Sequence, residues 1–454
     1  MQNVLLILSD EHNPFYTSVY GHPFIRTPNL DRLAHMGTTF DAAYCPSPLC
    51  LPSRSAFMAG RSVHELQTYN NSLAGLESAD YPSFGKVLTD QGVHAHYIGK
   101  VDVYSPFEEL GFASGELIKD RRYPGDINVR RNPLRIRENA GLRAEKYGPH
   151  PEVCRPGDGD ALKVDRGIEF LQHTAPTLDT PWLVVVAIGN PHFPHHTSQE
   201  LWDMYPQGGD LPAFGPECES ARHPRAVDLR DHFETDTFTE EQVRGQRRGY
   251  LGCVTYVDRQ VGRLLDALEE SGGLDSTTVI YASDHGEMLG TFGMWWKCSL
   301  YEDSVRIPIV ATGDGFAPGA RVKTPVDLLD VQASIFHALE ADRPADWVGR
   351  PLQTIDPDDP ERFVFAEYHG HGVRGSSYLI RKGPWKLIYH VGAENQLFKL
   401  DDDPHELNNL YKAEPEKAAE LAAHLREVCD PERENDRAEA FVEAQVAVVE
   451  GMSR

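Results

Sequence analysis

Short apolar or β-branched runs alternate along this chain with helical patterns, and that alternation limits the fold more than any other property. The runs are Val4 to Leu8, His94 to Ile98, Trp182 to Ile188, Thr278 to Ala282 and Ile307 to Ala311, most of them bounded by Gly, Pro, Asp or Asn. The clearest helical spacing between them is Tyr250, Val254, Val257, Val261, Leu264, Leu265 and Leu268, stopped by Gly272-Gly273. Strands separated by helices predict an α/β fold with a parallel sheet covered on both faces. Ligands of such sheets sit outside the carboxyl ends of the strands, so the residues that follow each apolar run are where chemistry is expected.

At 454 residues the chain exceeds what one hydrophobic core usually organises. Near residue 360 its character changes. Tyr378 to Tyr389 reads as two strands joined by the Gly383-Pro384 turn, an antiparallel signal, and charged helical stretches follow from Pro415 to Val428 and from Pro431 to Val449. We therefore divide the chain into a catalytic α/β domain, 1–360, and a C-terminal α+β subdomain, 361–454. Apolar positions in the last helix, Phe441, Val442 and Val449, suggest a subunit contact and hence a homo-oligomer.

The formal charge of −25 excludes nucleic acid and anionic membranes as natural partners, because binding a phosphate backbone requires the opposite sign. An anionic substrate stays compatible if cations gather locally. The seven cysteines are scattered without a Cys-x-x-Cys pair, which argues against a disulfide framework and a structural zinc site. Val4 to Leu8 is too short to span a bilayer and lacks a basic lead or cleavage site, so we expect a soluble, cytoplasmic protein. The 106–160 segment has little periodicity and concentrates Arg121, Arg122, Arg130, Arg131, Arg135, Arg137 and Arg143. It reads first as a solvated, partly ordered insertion, since charge runs are usually surface features, and otherwise as a segment that overhangs the active site or a subunit contact and helps draw in an anion.

Asp10 and Glu11 end the first run, and Asp284 and His285 follow the run Thr278 to Ala282. In a parallel sheet both pairs face the same edge, where they can converge on one metal. Oxygen-rich ligation with a single imidazole suits calcium, magnesium or manganese better than zinc. Taken singly, each pair also fits the habit of Asp to end strands as a turn or cap residue. Cys50-Leu51-Pro52-Ser53-Arg54 adds a thiol, a proline-stiffened turn and an arginine.

Together these residues resemble the sulfatase family of the alkaline phosphatase superfamily, whose nucleophile motif is Cys or Ser-x-Pro-Ser or Ala-Arg followed by a small, apolar stretch and Gly. Cys50 through Gly60-Arg61 matches it, with a leucine at the second position where small residues are more usual. Further echoes recur in order: Thr27 to Ala34, Gly99-Lys100, Pro191-His192, Asp284-His285-Gly286-Glu287, Trp296-Lys297, Tyr301 to Pro308, and the C-terminal Leu397 to Leu400 with Asp403-Pro404-His405-Glu406. The pattern is similar to the choline-sulfatase-like and phosphonate monoester hydrolase branches, because His285 stands where better-known members have Asn. The fold it implies is a large mixed, mostly parallel central sheet between helices, with a smaller C-terminal subdomain.

The resemblance implies that Cys50 is oxidised to formylglycine by a maturation enzyme. One hydroxyl of the hydrated aldehyde would attack sulfur, and the second would collapse to expel sulfate, which an ordinary alkoxide nucleophile cannot do. Asp10, Glu11, Asp284 and His285 would hold one divalent metal with the modified Cys50, calcium being the expected ion and manganese or magnesium the alternatives. Arg54 would orient the diol. Lys100, His192 and Lys297 would contact the sulfate and the leaving oxygen, with His192 or Lys297 supplying the leaving-group proton. Asn71 would touch the ester. Asp102 departs from a histidine common in the family and would face either a cationic substrate group or an arginine of the basic segment. The expected substrate is a small organic, aryl or carbohydrate sulfate monoester. A phosphonate monoesterase or phosphodiesterase with the same nucleophile is the chemical alternative, and a noncatalytic binding protein the alternative of another class.

Overall fold

Strand β1 (Asn3–Asp10) is apolar on both faces and lies inside the main sheet. Val4, Leu6 and Leu8 point into one hydrophobic core, Leu5 and Ile7 into the other, the two-residue period of a strand buried on both sides. The structure, a computed structural model, describes residues 2–76, 81–137, 139–205 and 210–452. The sheet also contains β2 (Thr38–Phe40), β3 (His94–Lys100), β4 (Ser114–Lys119), β5 (Trp182–Pro191), β6 (Thr277–Ser283), β7 (Ile309–Thr312) and β8 (Ala320–Val322). Their order is β8-β2-β7-β6-β1-β5-β3-β4. Only β7 runs antiparallel to its neighbours, so the sheet is mixed and mostly parallel, as the sequence implied.

Helices cover both faces. On one side α1 (Pro28–Met36), α3 (Gly159–Glu169) and α4 (Glu240–Glu270) pack Leu33, Val164, Val261 and Leu264 against Leu5, Ile7, Val184 and Val186. On the other, α2 (Cys50–Ala59) and α5 (Leu328–Ala338) contribute Phe57, Met58, Val331 and Ile335. Each such side chain, taken fully from water, contributes about 1.5–3 kcal/mol. The apolar spacing from Tyr250 marks only the later part of α4, which starts ten residues earlier behind a Thr239/Gln242 capping box. Gln246, Arg247 and Arg248 are buried in that first part, and polar residues inside a fold leave no apolar period to read.

The C-terminal region forms an antiparallel sheet of β9 (Phe363–Tyr368), β10 (Ser377–Lys382), β11 (Trp385–His390) and β12 (Gln396–Lys399). Lys382 pairs with Trp385 around Gly383-Pro384, the turn expected from sequence. One face of this sheet, including Val364, Ala366 and Leu379, joins the main core, and α6 (Pro415–Val428) covers the other with Leu421 and Leu425. The last helix, α7 (Pro431–Met452), then returns to the catalytic region. Its Ala438 packs with Ala56 and Tyr69, Phe441 lies edge-on to Tyr69 at 5.5 Å, and Val442 and Val446 pack on Val129. Phe441 and Val442, two of the three positions from which a subunit contact was expected, are thus packed within the chain. Among the described residues no helix is long and apolar enough to cross a membrane.

The basic segment is also not the solvated insertion its charge suggested first. Arg131 is fully buried, with its guanidinium donating to Asn435 and paired with Glu439 of α7. Arg121 pairs with Asp102 and Arg137 with Asp126, so the segment is tied down beside the carboxyl edge of the sheet.

Candidate active site

The parallel block β6-β1-β5-β3 brings four chain ends to one edge: Asp284-His285 after β6, Asp10-Glu11 from β1, Pro191-His192 from β5 and Lys100 from β3. The register is direct, with Ser9 opposite Ser283 and Asp10 opposite Pro191. Glu11 adopts φ 70, turning the chain sharply so that its amide donates to Asp284 Oδ1 at 3.1 Å.

Helix α2 delivers the cysteine to the same edge. Every residue of α2 is buried, with Cys50 at its N-terminus and Pro52 in the first turn, where a missing N–H costs no helical bond. The Leu51 amide donates to Asn71 Oδ1 at 3.0 Å, so Asn71 spends its carbonyl on the helix end and keeps its amide N–H groups for the cavity beside it. At the other end Gly60 closes the helix with φ 64, and a Cβ there would lie 2.6 Å from the Trp347 ring. Cys50 Sγ stands 3.2 Å from His285 Nε2 and 3.9 Å from Asp10 Oδ1. Burial opposes ionisation of this thiol, but the Lys100 and Lys297 ammonium groups outweigh it and hold its pKa well below the usual value. The helix N-terminus adds in the same direction.

Arg54, almost fully buried, locks the carboxylates. Its Nε donates to Asp284 Oδ2 at 2.7 Å, Nη1 to the Lys100 carbonyl at 2.9 Å, and Nη2 stands 3.7 Å from Asp10 Oδ2. Lys100 Nζ is hydrogen-bonded to Asp10 and lies 3.5 Å from Asp102. Asp102 in turn accepts from Arg121 at 2.6 Å, which identifies the partner of this unusual carboxylate as an arginine of the basic segment. Lys297 Nζ donates to Glu11 Oε2 at 3.0 Å and to His192 Nε2 at 2.5 Å. His192 Nδ1 can only donate to the Phe193 carbonyl, 2.6 Å away, so in the neutral ring Nε2, which also lies 3.2 Å from Glu11 Oε2, accepts from Lys297. Burial opposes the charge on Lys297, but the Cys50 thiolate and Glu11 raise it above the usual ammonium value, so Lys297 carries a proton at this end of the site.

Four potential ligand atoms, from Asp10, Cys50, Asp284 and His285, lie within 4.8 Å of one another and all belong to buried residues. Glu11 falls instead into a second group with Asp10 and His192, its Oε2 engaged with Lys297 and its Oε1 buried without a hydrogen-bond partner. Burial lifts Glu11 to about 7 against the pull of His192 and Lys297. The four-residue group fits a divalent cation by its own electrostatics. Burial alone would lower His285, yet Asp284 and the Cys50 thiolate raise it to about 9, so a proton is drawn to the place where a cation would sit. Its Nδ1 donates to the Gly286 carbonyl at 3.0 Å, which leaves Nε2 as the free ligand nitrogen.

Sequence reasoning named these centres, offered the basic segment over the site only as its second reading, and did not place the aromatic walls. A cavity of about 600 Å³ opens onto Cys50, Asn71, Lys100, His192 and Lys297. Arg143 lies over Phe193 at 4.7 Å and over Trp296 at 5.3 Å, and Phe233 and His371 complete that side. The arginine density from 121 to 143 was the only signal. Trp296 packs on Phe233 and also faces the cavity. Of the neighbours of His192, His196 faces an adjacent cavity, while His195 is fully buried against Tyr250.

Comparison with known proteins agrees with this geometry. The sulfatase family model matches residues 2–341, and a model for the C-terminal part of N-sulphoglucosamine sulphohydrolase matches 290–435. The chain is 30% identical to a choline-sulfatase of Rhizobium meliloti (strain 1021), over 90% of this chain and 82% of that protein. It is 26% identical to arylsulfatase K of Danio rerio, over 94% and 84% of the two chains. The solved phosphonate monoester hydrolase of Agrobacterium radiobacter superposes with a TM-score of 0.74 over 94% of this chain and 95% of its own, at 22% identity, a likeness of fold. With the family model spanning three quarters of the chain and the relatives nearly all of it, the chain belongs to the sulfatase family: it is a sulfuric ester hydrolase on the alkaline-phosphatase-like fold.

Proposed function

We propose that the protein hydrolyses a sulfate monoester of a small organic molecule by a metal-dependent route in which Cys50 works as formylglycine. The observation that carries this reading is the meeting of two clusters at Cys50: the Asp10, Asp284 and His285 donors on one side and the Lys100 and Lys297 ammonium groups on the other. A plain thiol enzyme has no use for the first cluster, and a metal-only hydrolase has no use for a buried cysteine at a helix N-terminus between two lysines.

Asp10, Asp284 and His285 would hold the divalent ion with the side chain at position 50. When bound, the ion lowers the pKa of the nucleophilic hydroxyl and neutralises one sulfate oxygen. The formylglycine form supplies two geminal hydroxyls, one to attack sulfur and one to release sulfate afterwards. The chain's own groups do the rest. Arg54 holds Asp284 by a buried hydrogen bond from Nε, anchors itself on the Lys100 carbonyl through Nη1, and sets its charge 3.7 Å from Asp10. Lys100 and Lys297 face the charge that develops on the sulfate oxygens. Lys297 passes its proton to the leaving oxygen, and His192 Nε2, accepting from that ammonium, aims it. Asn71 turns its amide toward the ester.

The relatives' names point to choline and aryl esters, and those are the first substrates to try. The enzyme, matured in a host that converts Cys50 and loaded with calcium, manganese or magnesium, is tested on choline, aryl and sugar sulfates beside a phosphonate monoester and a phosphodiester. Mass analysis of the peptide carrying Cys50 establishes the aldehyde. Sulfate esters should give the higher kcat/KM, and Cys50→Ala should abolish turnover with the melting transition preserved. A dominant phosphodiesterase rate, or substantial activity of the alanine variant, overturns the reading.

A further inference from the structure

The cavity at Cys50 is basic in a chain that is not. Seven lysine and arginine side chains line it against three carboxylates, while the whole chain carries −25. Four of the seven are already paired: Lys100 with Asp10, Lys297 with Glu11, Arg121 with Asp102 and Arg137 with Asp126. Lys119, Arg122 and Arg143 form no ion pair with any carboxylate among the described residues. Lys119 and Arg122 are exposed at the rim. Arg143 is different, being half-buried and held over the faces of Phe193 and Trp296. Its guanidinium carbon stands over two rings where it lines the cavity, and no side-chain hydrogen bond to Arg143 is found among the described residues. Burial and the nearby Arg137 depress it to about 10, the response of a cation that lacks its counter-ion.

A single sulfate group does not account for this surplus, because Lys100 and Lys297 already stand beside Cys50 to meet it. A cationic alcohol is disfavoured by the same wall. Of the three carboxylates lining the cavity, Asp102 and Asp126 are each taken by an arginine, and Asp120, which accepts from the Phe107 amide, is left as one carboxylate against Lys119, Arg122 and Arg143. We infer that the alcohol half of the substrate carries a second anionic group, a carboxylate or a further sulfate, which ion-pairs with the guanidinium of Arg143 while Arg122 and Lys119 guide it at the rim. The inference rests on the sulfatase reading above and narrows it: the two aromatic faces take the body of the alcohol, and Arg143 selects for charge at its far end.

The test uses one aryl scaffold with the charge varied: phenyl sulfate, 3-carboxyphenyl sulfate, benzene-1,3-diol bis-sulfate and 3-(trimethylammonio)phenyl sulfate. Affinities are measured calorimetrically on the Cys50→Ala protein, where nothing turns over, and kcat/KM on the matured enzyme. A partly buried charge-assisted contact predicts that one or both dianions bind about tenfold to a hundredfold tighter than phenyl sulfate. The carboxylate and bis-sulfate arms tell which anion is preferred. Arg143→Met, which keeps the stem on the rings, should bring that ratio within about threefold, and Arg143→Lys should retain part of it. If Arg143→Met loses its melting transition, the surface pair Lys119→Ala and Arg122→Ala must lower the ratio in its place. Equal affinities, a preference for the trimethylammonio ester, or a ratio that survives these substitutions overturns the inference. Turnover of phenyl sulfate without charge preference sinks this inference alone, whereas phosphonate hydrolysis without any sulfate ester hydrolysis sinks the functional reading and this one with it.

Discussion

Arg54→Met removes one guanidinium from between two buried carboxylates and keeps most of the hydrophobic stem. In the native site Nε holds Asp284 at 2.7 Å, Nη1 holds the Lys100 carbonyl, and Nη2 approaches Asp10 at 3.7 Å, all behind a surface that leaves the arginine 2% exposed. Asp10 retains Lys100, but Asp284 loses its charged donor. Removing one partner of a buried pair costs about 3–5 kcal/mol, because the remaining charge stays desolvated. A chain of 454 residues has an unfolding entropy of about 1 kcal/mol/K, so the melting temperature should fall by about 3–5 °C in chelator. A divalent cation would neutralise the same carboxylates. The variant's gain in melting temperature on adding calcium, manganese or magnesium should therefore exceed that of the unmodified chain, provided its donors still converge. Scanning fluorimetry of both proteins with and without metal decides it. A variant that melts within about 1 °C of the parent in chelator, or that gains no more from metal, would refute the role assigned to Arg54.

Three further outcomes follow from single contacts. Lys297→Ala should slow hydrolysis of an alkyl sulfate by about 10²–10⁴-fold and of a nitrophenyl sulfate far less, since an acidic phenol leaves without a proton; equal losses on both esters would remove Lys297 as the acid. His64, hydrogen-bonded to Glu367 at 2.9 Å, is lowered by burial but raised more strongly by that carboxylate, to about 9. Its folded value lies above the unfolded one, so its stabilisation is complete below about pH 6.5 and is lost as pH rises through about 9, an effect of the order of 3 kcal/mol. His64→Gln should flatten the stability profile over that window, and an unchanged slope would refute the pairing. Gly60→Ala should destabilise the chain by about 1–3 kcal/mol in denaturant unfolding, since alanine there must adopt a left-handed φ and push its Cβ into Trp347; a neutral result would show that the Trp347 side chain can move aside.

The parts of this site that were legible in sequence are those that depend on chain direction alone. A parallel sheet sends every carboxyl end to one edge, so Asp10, Lys100, His192 and Asp284 could be gathered from their positions after apolar runs and from the family pattern, without knowing the strand order. The central strands were legible for the same reason: buried on both faces, they read as continuous apolar segments. Strands β2, β4 and β8 did not. Ser114–Lys119 is an edge strand whose residues are mostly exposed, including Glu116 and Lys119, and such sequences are indistinguishable from loops. The start of α4 was lost because its buried residues are polar, and Arg247 and Arg248 among them hydrogen-bond to Asp210, Leu289 and Trp202, far away in the chain.

The basic segment shows why charge was the hardest property to place. A run of arginines has no period and no apolar face, so sequence offers only the average outcome, a solvated surface. Its actual position follows from partners distant in sequence: Asp102 for Arg121, Glu439 for Arg131, and the Phe193 and Trp296 rings for Arg143. That placement also reconciles an anionic substrate with an acidic protein. At physiological ionic strength the field of a surface charge is screened beyond about 8 Å, so an ester inside the cavity responds to the wall around it and not to the sum over the chain. The net charge of −25 governs instead which large polyanions can spread over the outer surface. Selection among small anions is decided by which cations are left unpaired at the walls, and of these Arg143 alone is both held over aromatic rings and directed into the site.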